Sequence, residues 1–134
     1  MAQSRRTFLK TAGAVTAVAA TATAADVVVG SAHDPREASA LANYPVAPRA
    51  LVLTEGARGG TLETATGVER FAAPPPPALT GAAYGAGDSF AAALTWYLAA
   101  GLDLPTACAR SGPHGAAVLR GLDPRSTQLA LQYP

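Results

Sequence analysis

The sequence predicts a small α/β protein with three layers, in which helices flank a sheet of the parallel type. Two short runs, Val27–Val29 and Leu51–Leu53, are apolar at every position. Strands of this kind are covered on both faces, as they are when helices pack on each side of a parallel sheet. Apolar residues at helical spacing follow from Phe90 onward. Buried strands combined with helices indicate the α/β class.

Length and composition restrict the possible functions. The chain has 134 residues, of which 49% are hydrophobic and 14% charged, which indicates one domain and disfavours a charged disordered tail. The net charge of +1 lacks the basic excess typical of nucleic-acid binding. Cys108 is the one cysteine, so an intramolecular disulfide and a zinc cluster of several cysteines are excluded. No uncharged stretch is apolar enough for a stable membrane span.

The first 25 residues differ in composition from the rest. A basic start is followed by an uncharged run made only of Ala, Val, Thr and Gly. Ser4–Lys10, with its paired arginines, resembles a twin-arginine export motif, and the small residues up to Ala25 fit a cleavage site. The alternative is a packed amphipathic helix over Arg6–Ala25. The folded domain is expected over residues 26–134, after a signal-like or Ala-rich segment at 1–25.

Strands are predicted early in this domain. Asp26–Gly30 and Ala50–Thr54 are short aliphatic runs that predict buried strands. Between them a helix is expected to run to about Ala42. Ser31 or Asp34 can cap this helix, and the proline that follows Asp34 suits its first position.

A hairpin and a loop are predicted next. Thr61–Thr64 and Val68–Phe71 flank a Thr-Gly turn and predict two paired strands. The four residues Pro74–Pro77 have no backbone N–H to donate, so they predict an extended loop.

Two helices are predicted in the rest of the chain. The first contains Phe90, Leu94, Tyr97 and Leu98 at helical spacing and is expected to stop at Gly101. The second is expected over about Leu104 to Leu119, and its internal proline should kink or divide it.

The most informative stretch is Gly85–Asp88, a glycine turn ahead of a helix. Glycines let a backbone approach a ligand, and the helix start offers free N–H groups and a positive dipole end. Together these features suit a phosphate group. Asp88 at this place has two interpretations. Its carboxylate would accept a proton from a reacting hydroxyl, or it is a helix N-cap.

The residues around this turn resemble the signature of the ribokinase-like (PfkB) carbohydrate and nucleoside kinases. Ala83–Leu94 is similar to the signature itself. Other blocks agree in order and spacing, and the resemblance covers about residues 26–131. These blocks are the strand and T-x-G-x-x-G turn at Leu51–Gly60, the link between helices at Leu98–Leu104, the helix bordering the adenine pocket at Gly115–Leu119, and the strand and N-x-x-E loop at Asp26–Glu37.

The resemblance implies an ATP-dependent kinase that transfers a phosphoryl group from Mg-ATP to a hydroxyl of a sugar or nucleoside. Asp88 would be the general base. Gly85, Ala86 and Gly87 would form the anion hole for the transferred group.

The resemblance also implies positions for the cofactors ATP and Mg²⁺. For Asp34 and Glu37 it implies an indirect role at Mg²⁺ through water, with a solvated helix start as the alternative. For His114 a structural role is the alternative to a contact with the nucleotide. The positions expected at the nucleotide are Thr54, Gly56, Gly59 and His114.

This sequence departs from the family pattern in three respects. Ala82–Tyr84 stands where the family has D-T-T, so those polar contacts are missing. Ser31–Asp34 stands where the family has N-x-x-E. The N-terminal half of the family, with most sugar-binding residues and the lid, does not precede Asp26. We therefore expect a ribokinase-like fragment of reduced activity that holds the ATP-binding half of the fold.

Two other functions stay open from the sequence. The chain is alternatively a non-catalytic remnant of the kinase fold, or a small exported α/β protein that binds a ligand. A working kinase is expected in the cytoplasm, where ATP is found, whereas a functional Ser4–Lys10 motif predicts export. The expected partner is a small-molecule sugar or nucleoside, with neither nucleic acid nor membrane. The sequence does not choose the sugar or nucleoside.

Overall fold

The computed structural model describes residues 7–10, 25–75, 77–78, 84–123 and 125–133. Two short 3-10 turns, Leu41–Asn43 and Gly56–Arg58, accompany the regular elements. In chain order the strands and α-helices are β1 (Thr7–Lys10), β2 (Ala25–Ser31), β3 (Ala50–Thr54), β4 (Gly60–Thr64), β5 (Gly67–Phe71), α1 (Ala86–Ala99) and α2 (Leu104–Val118).

The chain divides into two compact units. The first contains the residues up to Glu55 together with Thr61–Glu69. The second contains Gly56–Gly60 and the residues from Arg70 onward, and thus both α-helices. The strands lie in one sheet in the order β1-β2-β3-β4-β5.

The core strands are β2 and β3, which pair in parallel. Val28 lies opposite Leu51, and Val29 lies opposite Val52. None of these four residues is more than 2% exposed. Because successive side chains of a strand point to opposite faces, both faces of these strands are covered. This confirms the prediction of two neighbouring buried strands.

The sheet is mixed, so the predicted parallel type applies only to β1, β2 and β3. Five residues separate β3 from β4, and two separate β4 from β5. Connections this short join antiparallel neighbours, since a parallel crossover needs about a dozen residues or more. The predicted hairpin is therefore confirmed, and Gly67, with φ 138°, is the first residue of β5 after the turn.

Strand β1 lies inside the segment predicted as an export signal. Thr7–Lys10 pairs in parallel with β2. The alternative of a helix from Arg6 is wrong for these four residues, because their main chain pairs with a neighbouring strand instead of forming a helical turn. The two arginines of the export motif and the residues from 11 to 24 lie outside the described residues.

The helix predicted over residues 31–42 is wrong, since this segment forms turns instead. The carboxylate of Glu37 accepts a hydrogen bond from the backbone N–H of Ser31 at 2.9 Å. The carboxylate of Asp34 accepts one from the backbone N–H of Arg36, also at 2.9 Å. Bonds from side chains to nearby backbone groups compete with helix formation. Here they fold the loop back toward the end of β2.

The 3-10 turn that follows this loop supplies an apolar residue to the first unit. Leu41 is buried in a cluster with Ala25, Val28 and Leu51. The backbone N–H of Leu41 donates to the carboxylate of Glu63 at 3.2 Å. One short turn thus covers part of the sheet where a longer helix was expected.

Helix α1 confirms the prediction from its apolar spacing, because Phe90, Leu94 and Tyr97 are buried. It stops at Gly101, whose φ is 95°. The N–H of Leu102 donates to the carbonyl of Tyr97, and the N–H of Gly101 donates to that of Leu98, both at 3.1 Å. This pair of bonds is a Schellman motif, in which glycine is favoured because of its left-handed backbone.

Helix α2 begins at the N-cap Asp103, whose carboxylate accepts from the backbone N–H of Thr106 at 2.9 Å. This bond and the one from the Thr106 hydroxyl hold the pKa of Asp103 below its ordinary value. Pro113 lies inside the helix and does not divide it. The carbonyl that Pro113 leaves without a helical partner belongs to Ala109, an exposed residue that water can reach.

Three further observations concern the proline run, Cys108 and the lengths of the helices. Pro74, Pro75 and Pro77 belong to no regular element, as predicted for the proline run, and Pro76 lies outside the described residues.

Cys108 in α2 is fully buried, and burial raises the pKa of its thiol to about 12. Within the described ranges, no helix combines the length and the apolar character needed to cross a membrane.

Candidate functional site

The start of α1 has the geometry that an anion site needs. Its N-cap, Gly85, has a left-handed backbone with φ 87°, which favours glycine. The first bond within the helix runs from the N–H of Ser89 to the carbonyl of Gly85 at 2.9 Å, and no N-cap side chain closes the end. The amides of Ala86 and Gly87 therefore have no acceptor in a preceding turn. These N–H groups point outward at the positive end of the helix dipole, where anions are favoured.

Asp88 lies in the same first turn, and its side chain is exposed. The interpretation of Asp88 as the N-cap is wrong, because Gly85 occupies that position. An acidic residue in the first turn is also favourable for the helix dipole. The structure thus puts Asp88 in the same helical turn as the amides of Ala86 and Gly87. The residues Ala82 and Ala83 before this turn lie outside the described residues.

Thr54 lies at the carboxyl edge of the sheet, where ligands bind in open α/β folds. It is the register partner of Ser31 at the ends of the parallel strands β3 and β2. Its carbonyl accepts from the N–H of Ala32 at 2.9 Å, and its hydroxyl donates to the carbonyl of Gly30 at 3.2 Å. The hydroxyl hydrogen is therefore engaged with the backbone and would have to leave it in order to donate to a phosphate.

Asp34 and Glu37 lie in the loop at the same edge. The carboxylate of Asp34 forms an ion pair with Arg36 at 3.0 Å. Hydrogen bonds from the side chain and the backbone of Arg36 hold the pKa of Asp34 below its ordinary value. Glu37 is bonded to the backbone of Ser31. The part of the chain that the structure describes contains no group of three His, Cys, Asp or Glu side chains able to hold a metal ion.

The two glycines expected at the nucleotide differ in their surroundings. Gly56 and Gly59 both have positive φ, at 61° and 85°, and the N–H of Gly59 donates to the carbonyl of Gly56 at 3.0 Å. Gly56 is exposed, and a Cβ there would meet nothing within 4 Å. A Cβ on Gly59 would lie 1.9 Å from the carbonyl oxygen of Phe71. Position 59 therefore has room only for glycine, because the main chain of Phe71 to Ala73 passes too close to it for any side chain.

His114 lies in α2 and is 7% exposed. Its Nε2 is 3.2 Å from the hydroxyl oxygen of Tyr97. Burial lowers the pKa of His114 below its ordinary value of 6.5. The histidine borders a pocket of about 100 Å³ in the second unit, whose other lining residues are Ser89, Ala92, Ala93, Gln128, Leu129 and Leu131.

Burial of His114 predicts that the protein loses stability in mild acid. The unfolded chain takes up a proton near pH 6.5, whereas the folded chain resists this until the pH falls further. Stability is therefore fully present above pH 6.5 and decreases as the pH falls toward the lowered pKa. Urea denaturation at pH 7.5 and 5.5 measures the loss, and His114→Gln should reduce it. Equal losses in both proteins would contradict the assignment. Asp34 and Asp103 do not interfere, because lowered carboxyl pKa values act only below about pH 4.

Sequence analysis missed most of the pocket around His114. Ser89, Ala92 and Ala93 share one face of α1 through their spacing of three and four residues, and this pattern is readable in the sequence. Gln128, Leu129 and Leu131 come from a segment without regular structure, and no motif marks them.

The predicted site residues fall into two groups. Asp34, Glu37 and Thr54 belong to the first unit, where the carboxyl ends of β2 and β3 bring them to one edge. The second unit contains the others. These are Gly56, Gly59, Gly85, Ala86, Gly87, Asp88 and His114.

Comparison with known protein families gives one match for most of the chain. The model of the pfkB family carbohydrate kinases matches residues 1–127. This match includes the whole segment 1–25 that was predicted to direct export, so it lends the export prediction no support. No curated protein sequence matches the chain at a significant level.

Solved structures share the fold. A nucleoside kinase from Burkholderia thailandensis in complex with inosine has a TM-score of 0.71 at 18% identity, covering 85% of this chain and 39% of that one. Aminoimidazole riboside kinase from Salmonella enterica, complexed with aminoimidazole riboside and an ATP analog, has a TM-score of 0.70 at 22% identity. The match covers 87% of this chain and 42% of that one. A putative ribokinase II from E. coli in complex with ATP and Mg²⁺ has a TM-score of 0.68 at 18% identity. The match covers 87% of this chain and 40% of that one. This chain spans about two-fifths of each of them.

Proposed function

This chain belongs to the pfkB family of carbohydrate kinases, and on that premise we propose that it binds Mg-ATP at the start of α1 and transfers the terminal phosphoryl group to a hydroxyl of a sugar or nucleoside. The observation that carries the proposal is the start of α1 at the left-handed Gly85, an N-cap without a side chain. The family resemblance stated from the sequence is confirmed. This chain spans about two-fifths of the length of its structural neighbours, and reduced activity of the chain when it is assayed by itself is part of the proposal.

The residues at this turn fit the phosphates of ATP. Gly85 and Gly87 have no side chains to keep an anion away from the backbone. The amides of Ala86 and Gly87 are the donors that would hold it. A helix N-terminus favours an anion by about 0.3–1 kcal/mol at an exposed site and up to ~2 kcal/mol in a partly buried one. Gly85, Ala86 and Gly87 are all partly buried.

Mg²⁺ fits this chain through the nucleotide. Magnesium in nucleotide sites keeps several waters and is held by few carboxylates together with the phosphates. Asp34 and Glu37 lie in one loop of the first unit and stay the residues proposed for an indirect role at Mg²⁺. When bound, Mg²⁺ supplies charge that offsets the negative phosphates.

Asp88 would accept the proton of the acceptor hydroxyl. Its carboxylate is exposed and lies in the same turn as the amide donors. The amides of Ala86 and Gly87 would stabilise the charge of the transferring group. Holding the hydroxyl in position beside Asp88 would further lower the barrier to transfer. In the ground state the carboxylate repels the phosphate, so its benefit appears in the transfer step and not in nucleotide binding.

The acceptors to test first are ribosides. Structural neighbours of this chain are described in complex with inosine and with aminoimidazole riboside. A kinase of this kind requires ATP, and we accordingly propose a cytoplasmic protein. Free ribose and other sugars form the second group of acceptors.

Gly87→Val is expected to weaken Mg-ATP binding by about tenfold, which corresponds to ~1.4 kcal/mol. The added side chain would crowd the anion at the amides of the turn. Isothermal titration calorimetry with the full chain measures the affinity. Ala99→Val is the matched control, because Ala99 is exposed in the last turn of the same helix. Equal affinity in both variants would place the nucleotide elsewhere.

A further inference from the structure

Helix α2 comes close to the first turn of α1 at one residue, Gly115. A Cβ built on Gly115 would lie 3.0 Å from the carbonyl oxygen of Ala86 and 3.4 Å from the Cβ of Phe90. Gly115 is buried. Real Cβ atoms rarely come as close to a neighbour as 3.0 Å. A side chain at Gly115 would therefore push on the carbonyl of Ala86.

The carbonyl of Ala86 and the N–H of Gly87 belong to the same peptide group. A peptide group is planar and stiff, so a push that turns its oxygen also turns its N–H. The N–H of Gly87 is one of the two donors that the proposed function assigns to phosphate. The direction of this donor is therefore coupled to the space left at Gly115.

The second neighbour of Gly115 cannot easily give way. Phe90 is 5% exposed, and its ring stacks on that of Phe71 with centroids 5.7 Å apart and planes at 12°. Close-packed interiors yield little to an added methyl group. The displacement from a Cβ at Gly115 would thus fall mainly on the peptide group of Ala86 and Gly87.

We propose that Gly115 is a positioning residue for phosphate binding, because its lack of a side chain sets the direction of the Gly87 N–H. This inference rests on the proposed function for the role of that donor. The coupling between Gly115 and the Gly87 peptide group rests on the contact alone. The two parts can therefore be tested separately.

Gly112 provides a matched control on the same helix. A Cβ built on Gly112 would also meet its nearest atom at 3.0 Å, but this atom is Cδ of Pro74, and its three nearest atoms all belong to Pro74. Both glycines lie inside α2, so alanine improves helix propensity at each by a similar amount. The two substitutions differ in whether they press on the first turn of α1.

The experiment compares the full chain with Gly115→Ala and Gly112→Ala. The first readout is the amide NMR resonance of Gly87 without nucleotide, which should move in Gly115→Ala and stay in Gly112→Ala. The second is Mg-ATP affinity by calorimetry, expected to fall about five- to tenfold in Gly115→Ala and less than twofold in Gly112→Ala. Tenfold corresponds to ~1.4 kcal/mol, a fraction of a hydrogen bond to a charged group. If Gly115→Ala is partly unfolded, concentrated sucrose restores the folded state for both readouts.

The outcomes separate the inference from the function on which it rests. A Gly87 resonance that stays in place in Gly115→Ala, or that moves equally in both variants, overturns the positioning role. A Gly87 resonance that moves while Mg-ATP affinity is unchanged also overturns it, since the donor would then not serve the phosphate. A wild-type chain that binds no Mg-ATP overturns the proposed function, while the resonance still reports on the coupling between Gly115 and Gly87.

Discussion

Gly59→Ala is expected to unfold the protein, or to lower its free energy of unfolding by more than about 4 kcal/mol, a loss that few single substitutions produce. Its Cβ would lie 1.9 Å from the carbonyl oxygen of Phe71 and within 3 Å of the backbone of Ala72 and Ala73. These are main-chain atoms, which cannot move aside as the end of a flexible side chain can. The φ of 85° adds strain for any residue with a Cβ.

Gly56→Ala is the control for this prediction, since Gly56 also has a positive φ but no atom near its Cβ position. Gly56→Ala should lower the free energy of unfolding by only about 1–2 kcal/mol, which is the cost of a left-handed backbone for a residue with a Cβ. Urea denaturation followed by circular dichroism measures both losses. A soluble Gly59→Ala protein with the same midpoint as Gly56→Ala would show that the main chain at Phe71 does not press on Gly59 in solution.

Asp88→Asn is expected to remove phosphoryl transfer to ribosides while leaving Mg-ATP affinity equal or higher. General base catalysis contributes about 10²- to 10⁴-fold. The wild-type chain is expected to work below the ~1–100 per second typical of kinases, so the variant should fall below detection. A radiolabelled-phosphate transfer assay measures the rate, and calorimetry measures the affinity. Removing the negative charge of Asp88 relieves its repulsion of the phosphates.

Two results would contradict this role for Asp88. A tenfold loss of Mg-ATP affinity in Asp88→Asn would make the carboxylate a contact of the metal ion or a structural group. Absence of transfer by the wild-type chain, with Mg-ATP still bound, would favour the non-catalytic alternative. Ser89→Ala is a suitable control for the turn, because Ser89 is the next residue in the same helix and carries no charge.

Local patterns predicted most of the fold. The uninterrupted apolar runs at Val27–Val29 and Leu51–Leu53 predicted buried strands, and the spacing of Phe90, Leu94 and Tyr97 predicted a helix. The Thr-Gly turn and Gly101 were equally readable, because a backbone with positive φ favours glycine and occurs where an element begins or ends. These features depend on residues that are close in sequence.

The errors arose where specific side-chain bonds decide the structure. Pro35 and a possible cap suggested a helix after Ser31, but the carboxylates of Asp34 and Glu37 bond to nearby backbone N–H groups instead. Composition alone does not distinguish a capping bond from a bond that replaces the helix. The strand Thr7–Lys10 was missed for a different reason, since only two of its four residues, Phe8 and Leu9, are apolar.

The residues of the candidate site were predictable from the sequence, whereas the glycines that make room for the main chain around it were not. Gly85–Asp88 was identified from the glycine turn and the family resemblance. The roles of Gly59 and Gly115 could not be found in that way, because each is required by a backbone segment distant in sequence, at Phe71 and at Ala86. Glycine alone does not reveal which neighbour excludes a side chain.

Titration of the isotope-labelled full chain with Mg-ATP, followed through its backbone amide NMR resonances, shows where on the chain the nucleotide binds. We expect the largest shifts at Gly85, Ala86 and Gly87, where they should saturate together, and we expect inorganic phosphate to shift the same amides at higher concentration. Shifts that spare these three residues and concentrate elsewhere, or a spectrum that Mg-ATP leaves unchanged, would contradict binding at the start of α1.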